Sequence, residues 1–373
     1  MPTSQLRFVL FATALCGLFC ATFCVTPAWA DTGLAHPLLM EVSPQNPRNS
    51  EGDFIKLKDG RILFIYSHFM SGGYDESTAK LASRMSSDGG KTWTSSDAEV
   101  LPNEGGLNVM SVSLQRLPSG KIALFYLRKD SVYECRPLMR ISTDEARTWS
   151  EPKLCIAQPG YYVLNNDRAV QLKGGRIVLP VCKHFQPGDE DLDWQGEVMC
   201  YLSDDEGRTW RRSKTAMKHH DEQGNRVTLQ EPGVVELKDG RVMMFVRSDA
   251  GSQLLSYSSD GGDTWSSLTR SNIISPLAPA SIKRIPKTGD LILVWNNHKD
   301  IPEKLRGKRT PLDVAVSRDD GQTWENVKRV DHDPNSAFCY TTIFFPDEDH
   351  VVLAYRENLT TEMARFSLDW LYR

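Results

Sequence analysis

One eight-residue pattern, Ser-x-Asp-x-Gly-x-Thr-Trp, recurs five times, at residues 86–93, 142–149, 203–210, 258–265 and 317–324; in the second copy Ala146 replaces the glycine. The five aspartates (Asp88, Asp144, Asp205, Asp260 and Asp319) follow one another at intervals of 56, 61, 55 and 59 residues. Near-constant spacing of this kind denotes one supersecondary unit stacked repeatedly, not a set of unrelated turns. Each copy suits a β-hairpin turn. The Asp carboxylate folds back on following backbone N–H groups, the glycine takes a turn conformation closed to other residues, and the Trp ring buries itself to anchor the turn. The repeated aspartates are therefore assigned to the fold and not to chemistry.

Strand patterns flank every copy. Residues 54–57 lead through Asp59-Gly60 into 61–66, and Asp-Gly between apolar runs is a hairpin signal. The same scheme returns as Pro118-Ser119-Gly120 before 121–126, Gly174-Gly175 before 176–181, Asp239-Gly240 before 241–246, and Lys287-Thr288-Gly289 before 290–295. A sixth unit without the box covers 340–345, 351–355 and 363–370, and residues 38–42 are placed to supply its missing outer strand and close a ring. Helix signals are weak throughout. The predicted fold is all-β: a six-bladed β-propeller of four-stranded antiparallel blades with Asp-box turns. Residues 186–197 and 299–308 read as exposed loops, as do His219 and His220.

The amino terminus has the form of a secretory signal: Arg7, an apolar run over 8–25, and Ala28-Trp29-Ala30 as an A-x-A cleavage site. The expected organisation is a signal peptide at 1–30 and one propeller domain at 31–373, exported to the periplasm or beyond, with no membrane span after cleavage. Of eight cysteines, five lie past the signal. In an oxidising compartment Cys135 with Cys155 and Cys182 with Cys200 are the local pairings expected. A net charge of −4 argues against a nucleic-acid partner. No C-x-x-C or H-E-x-x-H spacing points to a metal, and no cofactor is expected.

With the repeats and strands in place, the chain resembles the bacterial exo-sialidases (neuraminidases) and their Asp-box relatives, over about residues 47–370. Asp boxes specify fold more than activity, so the implied function rests on other positions. The resemblance implies three arginines that clamp the carboxylate of an acidic sugar, a tyrosine nucleophile partnered by a glutamate, and an aspartate acting as acid and base. A phenol suits this task because an ionised carboxylate nucleophile would be repelled by the substrate's own carboxylate. By position, the glutamate is Glu231, the arginines are Arg48, Arg247 and Arg309, and the tyrosine is Tyr340. Two departures stand out. Arg48-Asn49-Ser50-Glu51 replaces the family's Arg-Ile-Pro. Ser67-His68 stands where the acid/base aspartate belongs, which leaves Asp75 or His68 for that role. Asp167 and Arg168, in an Asn165-Asn166-Asp167-Arg168 cluster, are candidate sugar contacts. The implied partner is a glycan bearing a terminal sialic acid or related acidic sugar. The alternatives are a carbohydrate-binding propeller without turnover, or a hydrolase or lyase acting on uronic acids.

Overall fold

The computed structural model describes residues 33–373, so the expected signal peptide and its cleavage site lie outside the described residues. Strand dominates, and the helical elements are a 3-10 turn at Glu303–Leu305 and a terminal helix at Leu368–Tyr372. Four sheets have four antiparallel strands each. The first holds Arg48–Lys56, Ile62–Phe69, Ala79–Ser86 and Ala98–Leu101, the second Leu229–Glu236, Val242–Ser248, Ser252–Ser258 and Thr269–Ile274, and the third Ser281–Arg284, Leu291–Trp295, Leu312–Ser317 and Glu325–Asp331. In the fourth, the early strand Leu34–Met40 pairs outside Thr360–Ser367, followed by His350–Glu357 and Phe338–Phe344. The two ends of the described chain are thus stitched into one sheet. Residues 108–217 form a nine-stranded sheet whose two halves meet at a single parallel pairing, Tyr161 with Cys135. His219–His220 is not loop: it pairs with Arg226–Val227 in a small separate hairpin.

All five boxes have the same hydrogen bonds. In the third, the Ser203 hydroxyl donates to Asp205 (2.9 Å) and accepts from the Gly207 N–H (2.8 Å), while Asp205 accepts from the backbone (2.8 Å) and hydroxyl (2.6 Å) of Thr209. The glycine position needs positive φ, +80° at Gly207, and Ala146 adopts +64° in its place. Each box tryptophan lies against an apolar cluster between sheets. Hydrogen bonds from the Thr148 hydroxyl and backbone, with Ser142, hold the Asp144 carboxyl down at about 2, and Thr209 and Ser203 do the same for Asp205. A carboxyl lowered on folding stabilises above its unfolded value near 4, and that stabilisation disappears as pH falls toward 2. Asp205→Ala is therefore expected to lower stability at pH 7 by up to about 1 kcal/mol after solvent screening. It should also flatten the acid limb of a plot of melting temperature against pH. An acid limb as steep as in the parent would assign that limb to other carboxylates.

The expected disulfides are absent. Cys135, Cys155, Cys182, Cys200 and Cys339 are all free and buried. They serve as small core residues, and burial pushes the Cys135 thiol up to about 12.

Inner strands of neighbouring sheets pack on one another. Arg48–Lys56 touches Asn108–Arg116 on one side and Phe338–Phe344 on the other; Leu229–Glu236 touches Ile177–Phe185 and Ser281–Arg284, and the last touches Phe338–Phe344. Polar bonds cross these seams. Asp53 accepts from the Leu114 N–H (2.7 Å), and Ser281 donates to the Thr341 carbonyl (2.5 Å). The inner strands Arg48–Lys56, Asn108–Arg116, Leu229–Glu236 and Phe338–Phe344 each break register once, at 50/53, 110/113, 230/233 and 339/342. The break places a non-glycine residue at positive φ: Glu51 (+53°), Ser111 (+58°), Glu231 (+46°) and Tyr340 (+57°). A bulge re-aims one side chain out of the pleat, and a large side chain in the left-handed region persists only where its surroundings enforce it. The sheets thus present four side chains from equivalent places.

Candidate active site

These four side chains line one cavity of about 310 Å³. Glu51, Ser111, Glu231 and Tyr340 come from the bulges; Arg247 comes from the strand Val242–Ser248, Arg309 from the stretch before Leu312–Ser317, and Asp75, Glu76 and Lys129 complete the charged wall. Tyr161, His184 and Trp194 form an apolar side, with Tyr161 and Trp194 ring centroids 6.2 Å apart in edge contact.

The bulges are held mechanically. The buried amide of Asn166 donates to the carbonyls of Gly52 and Tyr340, both at 3.1 Å, and to the Thr342 hydroxyl at 2.9 Å, while Thr342 itself donates to the Gly52 carbonyl. One side chain from a third element therefore ties the Glu51 bulge to the Tyr340 bulge. Gly52 is needed next to Glu51, because a Cβ there would lie 2.3 Å from the Phe64 ring. Gly233 answers to Phe245 in the same way.

Charge is distributed unevenly around Tyr340. Glu231 Oε1 pairs with Arg247 Nη1 at 2.8 Å, while Glu231 Oε2 is buried without a hydrogen-bond partner. Burial and the negative charge of Glu231 push the Tyr340 hydroxyl up, against the opposing pull of Arg309 and Arg247. The phenol is neutral in the free protein. Arg309 stands over its ring, with Cζ 5.7 Å from the centroid, and Arg356 does so at 6.0 Å. Arg247 is desolvated, yet the charge and hydrogen bond of Glu231 keep it protonated, while Arg309 repels it. Its Nε is buried and unpartnered. Two guanidiniums crowded in this way favour an anion between them.

Arg48 is placed differently. It is 1% exposed, lies behind the cavity wall, and spends its fork on carboxylates: Nη1 on Asp75 at 2.5 Å and Nη2 on Glu51 at 3.1 Å. Its Cζ rests 4.3 Å from the Phe69 centroid. Burial acts to raise the Asp75 carboxyl, but the charge and hydrogen bond of Arg48 hold it below the ordinary carboxylate range. Its backbone carbonyl is fixed by Asn108 (2.7 Å) and Lys129 (3.1 Å), and its side chain is half-exposed. His68 does not reach the cavity and pairs with Asp97 at 3.1 Å.

Asp167 and Arg168, the expected sugar contacts, do not line this cavity. Both line a second cavity of about 330 Å³, together with Lys283, Glu236 and Phe245. Asp167 pairs with Lys283 and accepts from the Ile343 N–H at 3.1 Å; Arg168 donates to the Ala280 carbonyl at 2.6 Å. These bonds tie Asp167 and Arg168 to the stretches around Ser281–Arg284 and Phe338–Phe344, which belong to two sheets that are not neighbours of their own. Sequence reasoning did not single out Asn166, Glu51 or Trp194 as site residues. Trp194 sits in the 186–197 loop, and an aromatic in an otherwise polar loop was the available signal.

The family model described as a BNR repeat-like domain matches residues 98–351. The chain belongs to the BNR repeat-like family. A sialidase from Micromonospora viridifaciens is 26% identical over 351 residues, covering 84% of this chain and 50% of that protein. A sialidase from Bacteroides fragilis (strain YCH46) is 21% identical over 370 residues, covering 88% and 64%. The chain therefore spans about half to just under two thirds of the length of these relatives. Among solved structures, the NanB sialidase of Streptococcus pneumoniae superposes with a TM-score of 0.70 at 15% identity, over 91% of this chain and 71% of that one. The family is sialidase-like, and the likeness in structure establishes an all-β fold of the sialidase kind. No helix among the described residues is long and apolar enough to cross a membrane.

Proposed function

We propose that this BNR-family protein is an exported exo-glycosidase, built as a closed six-bladed propeller, that removes a terminal sialic acid or related acidic sugar with retention of configuration. The observation that carries the reading is the convergence of Tyr340, Glu231, Arg247 and Arg309 on one cavity from three sheets. Arg247 and Arg309 receive the sugar's carboxylate, which relieves their mutual repulsion. The free Glu231 Oε2 accepts the phenol proton as the Tyr340 oxygen attacks the anomeric carbon. The leaving oxygen takes a proton from Asp75. Water, deprotonated by the same carboxylate, then displaces the tyrosine, and two inversions give net retention. A sugar seated over the half-exposed Asp75 side chain adds desolvation and moves its carboxyl up toward the range an acid needs. Arg48 acts as the positioning residue that orients Asp75. No step calls for a metal or organic cofactor.

The test is turnover of a fluorogenic sialoside beside fluorogenic uronides, with the first-formed anomer read by NMR. Release from the sialoside with the α-anomer appearing first is the expected result. Turnover of uronides alone would move the substrate class, and binding of free sugar without turnover would leave a carbohydrate-binding propeller.

A further inference from the structure

We infer that Glu51 is a specificity-determining residue of this cavity: with Asp75 it consumes the guanidinium of Arg48, so that a substrate carboxylate meets two arginines and not three, while Glu51 faces a neutral, hydroxyl-bearing edge of the sugar. The inference rests on the acidic-sugar reading above and narrows it.

The geometry is specific to Arg48-Asn49-Ser50-Glu51. Both terminal nitrogens of Arg48 are engaged, Nη1 by Asp75 and by the Gly73 carbonyl at 3.4 Å, Nη2 by Glu51 and by the Ser50 hydroxyl at 3.5 Å. The cavity wall includes Arg247 and Arg309 but not Arg48; in its place the wall includes Glu51. Glu51 is itself 5% exposed, so its orientation is fixed and not a solvent-swept average. Its backbone sits at φ +53° on the bulge that Asn166 fastens to Tyr340, in the same relation to its sheet as Glu231 has to its own. A charged side chain held in a strained conformation at a buried wall signals use, since a small polar residue would fill the space at lower cost. A carboxyl offers acceptors to a sugar hydroxyl and repels a carboxylate. It thus separates the anionic edge of the substrate, at Arg247 and Arg309, from a neutral edge.

The arrangement has a pH signature. Burial raises the Glu51 carboxyl; Arg48 opposes this, Asp75 adds to it, and Arg356 and Glu231 are the other charges that act on it. As pH falls through its titration, Glu51 becomes neutral, Arg48 is less quenched, and an anionic sugar binds better.

The experiment is calorimetric binding of N-acetylneuraminic acid and of its methyl ester to the parent protein and to Glu51→Gln, an isosteric change, with melting temperature as the control for folding. Removing one charge a few Å from the bound anion is expected to tighten the acid roughly tenfold or more, with the ester changed by less than about twofold. Acid binding by the parent should strengthen as pH is lowered, and by Glu51→Gln it should stay flat over the same range. Acid binding by the parent that is unchanged or weakened in Glu51→Gln, or an ester that shifts equally, overturns the assignment of Glu51 alone. Absence of acid binding by both proteins removes the acidic-sugar reading and the assignment together.

Discussion

Replacing Tyr340 by Phe is expected to lower kcat on an aryl sialoside by at least ~10³-fold while leaving the affinity for the free sugar within about threefold. The variant removes one oxygen and keeps the ring that Arg309 and Arg356 approach. The backbone at φ +57° is held by the Asn166 bond to the Tyr340 carbonyl, which phenylalanine retains. Structural damage is therefore small, and melting temperature should move by no more than a degree or two. The affinity persists because the carboxylate is held by Arg247 and Arg309, neither of which needs the phenol. The measurement separates two chemistries. If the hydroxyl forms the covalent bond, the residual rate reflects only charge stabilisation and positioning, and mass spectrometry with a fluorinated substrate analogue traps an adduct on the parent but not on the variant. If water attacks directly, Tyr340→Phe keeps a rate within about tenfold of the parent, and tyrosine leaves the mechanism.

How much of this was legible in the sequence depended on the range of the interactions. The Asp boxes are closed by bonds that reach at most four residues, such as Ser258 to Gly262 and Asp260 to Thr264, so their pattern is local and survives in the text of the chain. Strands with Asp-Gly turns are equally local, and even the pairing of the early strand Leu34–Met40 with Thr360–Ser367 followed from one missing partner. The direction of a side chain at a positive-φ position is different. Asp167 stands at φ +57°, as Glu231 and Tyr340 are also twisted, yet it faces Lys283 and a second cavity. Sequence order alone does not say which mouth a re-aimed side chain serves. The cysteines misled for a related reason. Cys182 and Cys200 lie on adjacent strands, but each turns its thiol into apolar packing, and Cys182 donates to the Leu229 carbonyl of the next sheet at 3.1 Å. Arg48 shows the limit most clearly. Its place in the chain was read as one corner of a three-arginine clamp. What occupies its nitrogens was set by Glu51 three residues on and by Asp75 from a distant loop.

Glu231→Gln is expected to lower kcat by about 10²- to 10³-fold at neutral pH, the usual worth of a positioned proton acceptor, and to change the shape of the pH profile as well as its height. Glu231 does two things. One oxygen neutralises Arg247 at 2.8 Å; the other is buried, unpartnered and available for the phenol proton. Its negative charge also raises the Tyr340 hydroxyl, while Arg309 and Arg247 lower it. In the glutamine variant the acceptor is lost, but so is the charge that opposed ionisation, and both arginines remain. The sign follows: the phenol of the variant ionises at lower pH than that of the parent, and solvent hydroxide replaces Glu231 as the base. The rate of Glu231→Gln should therefore climb with pH through the alkaline range, where the parent is flat or falling. A variant rate that stays parallel to the parent across pH, merely scaled down, would assign Glu231 to holding Arg247 in place and would require another base for the tyrosine. Arg247 supplies the control. If Glu231 served only to orient that guanidinium, Glu231→Gln would raise KM for the acidic sugar and spare kcat; loss of kcat with KM nearly constant is the outcome that a proton-accepting carboxylate beside Tyr340 requires.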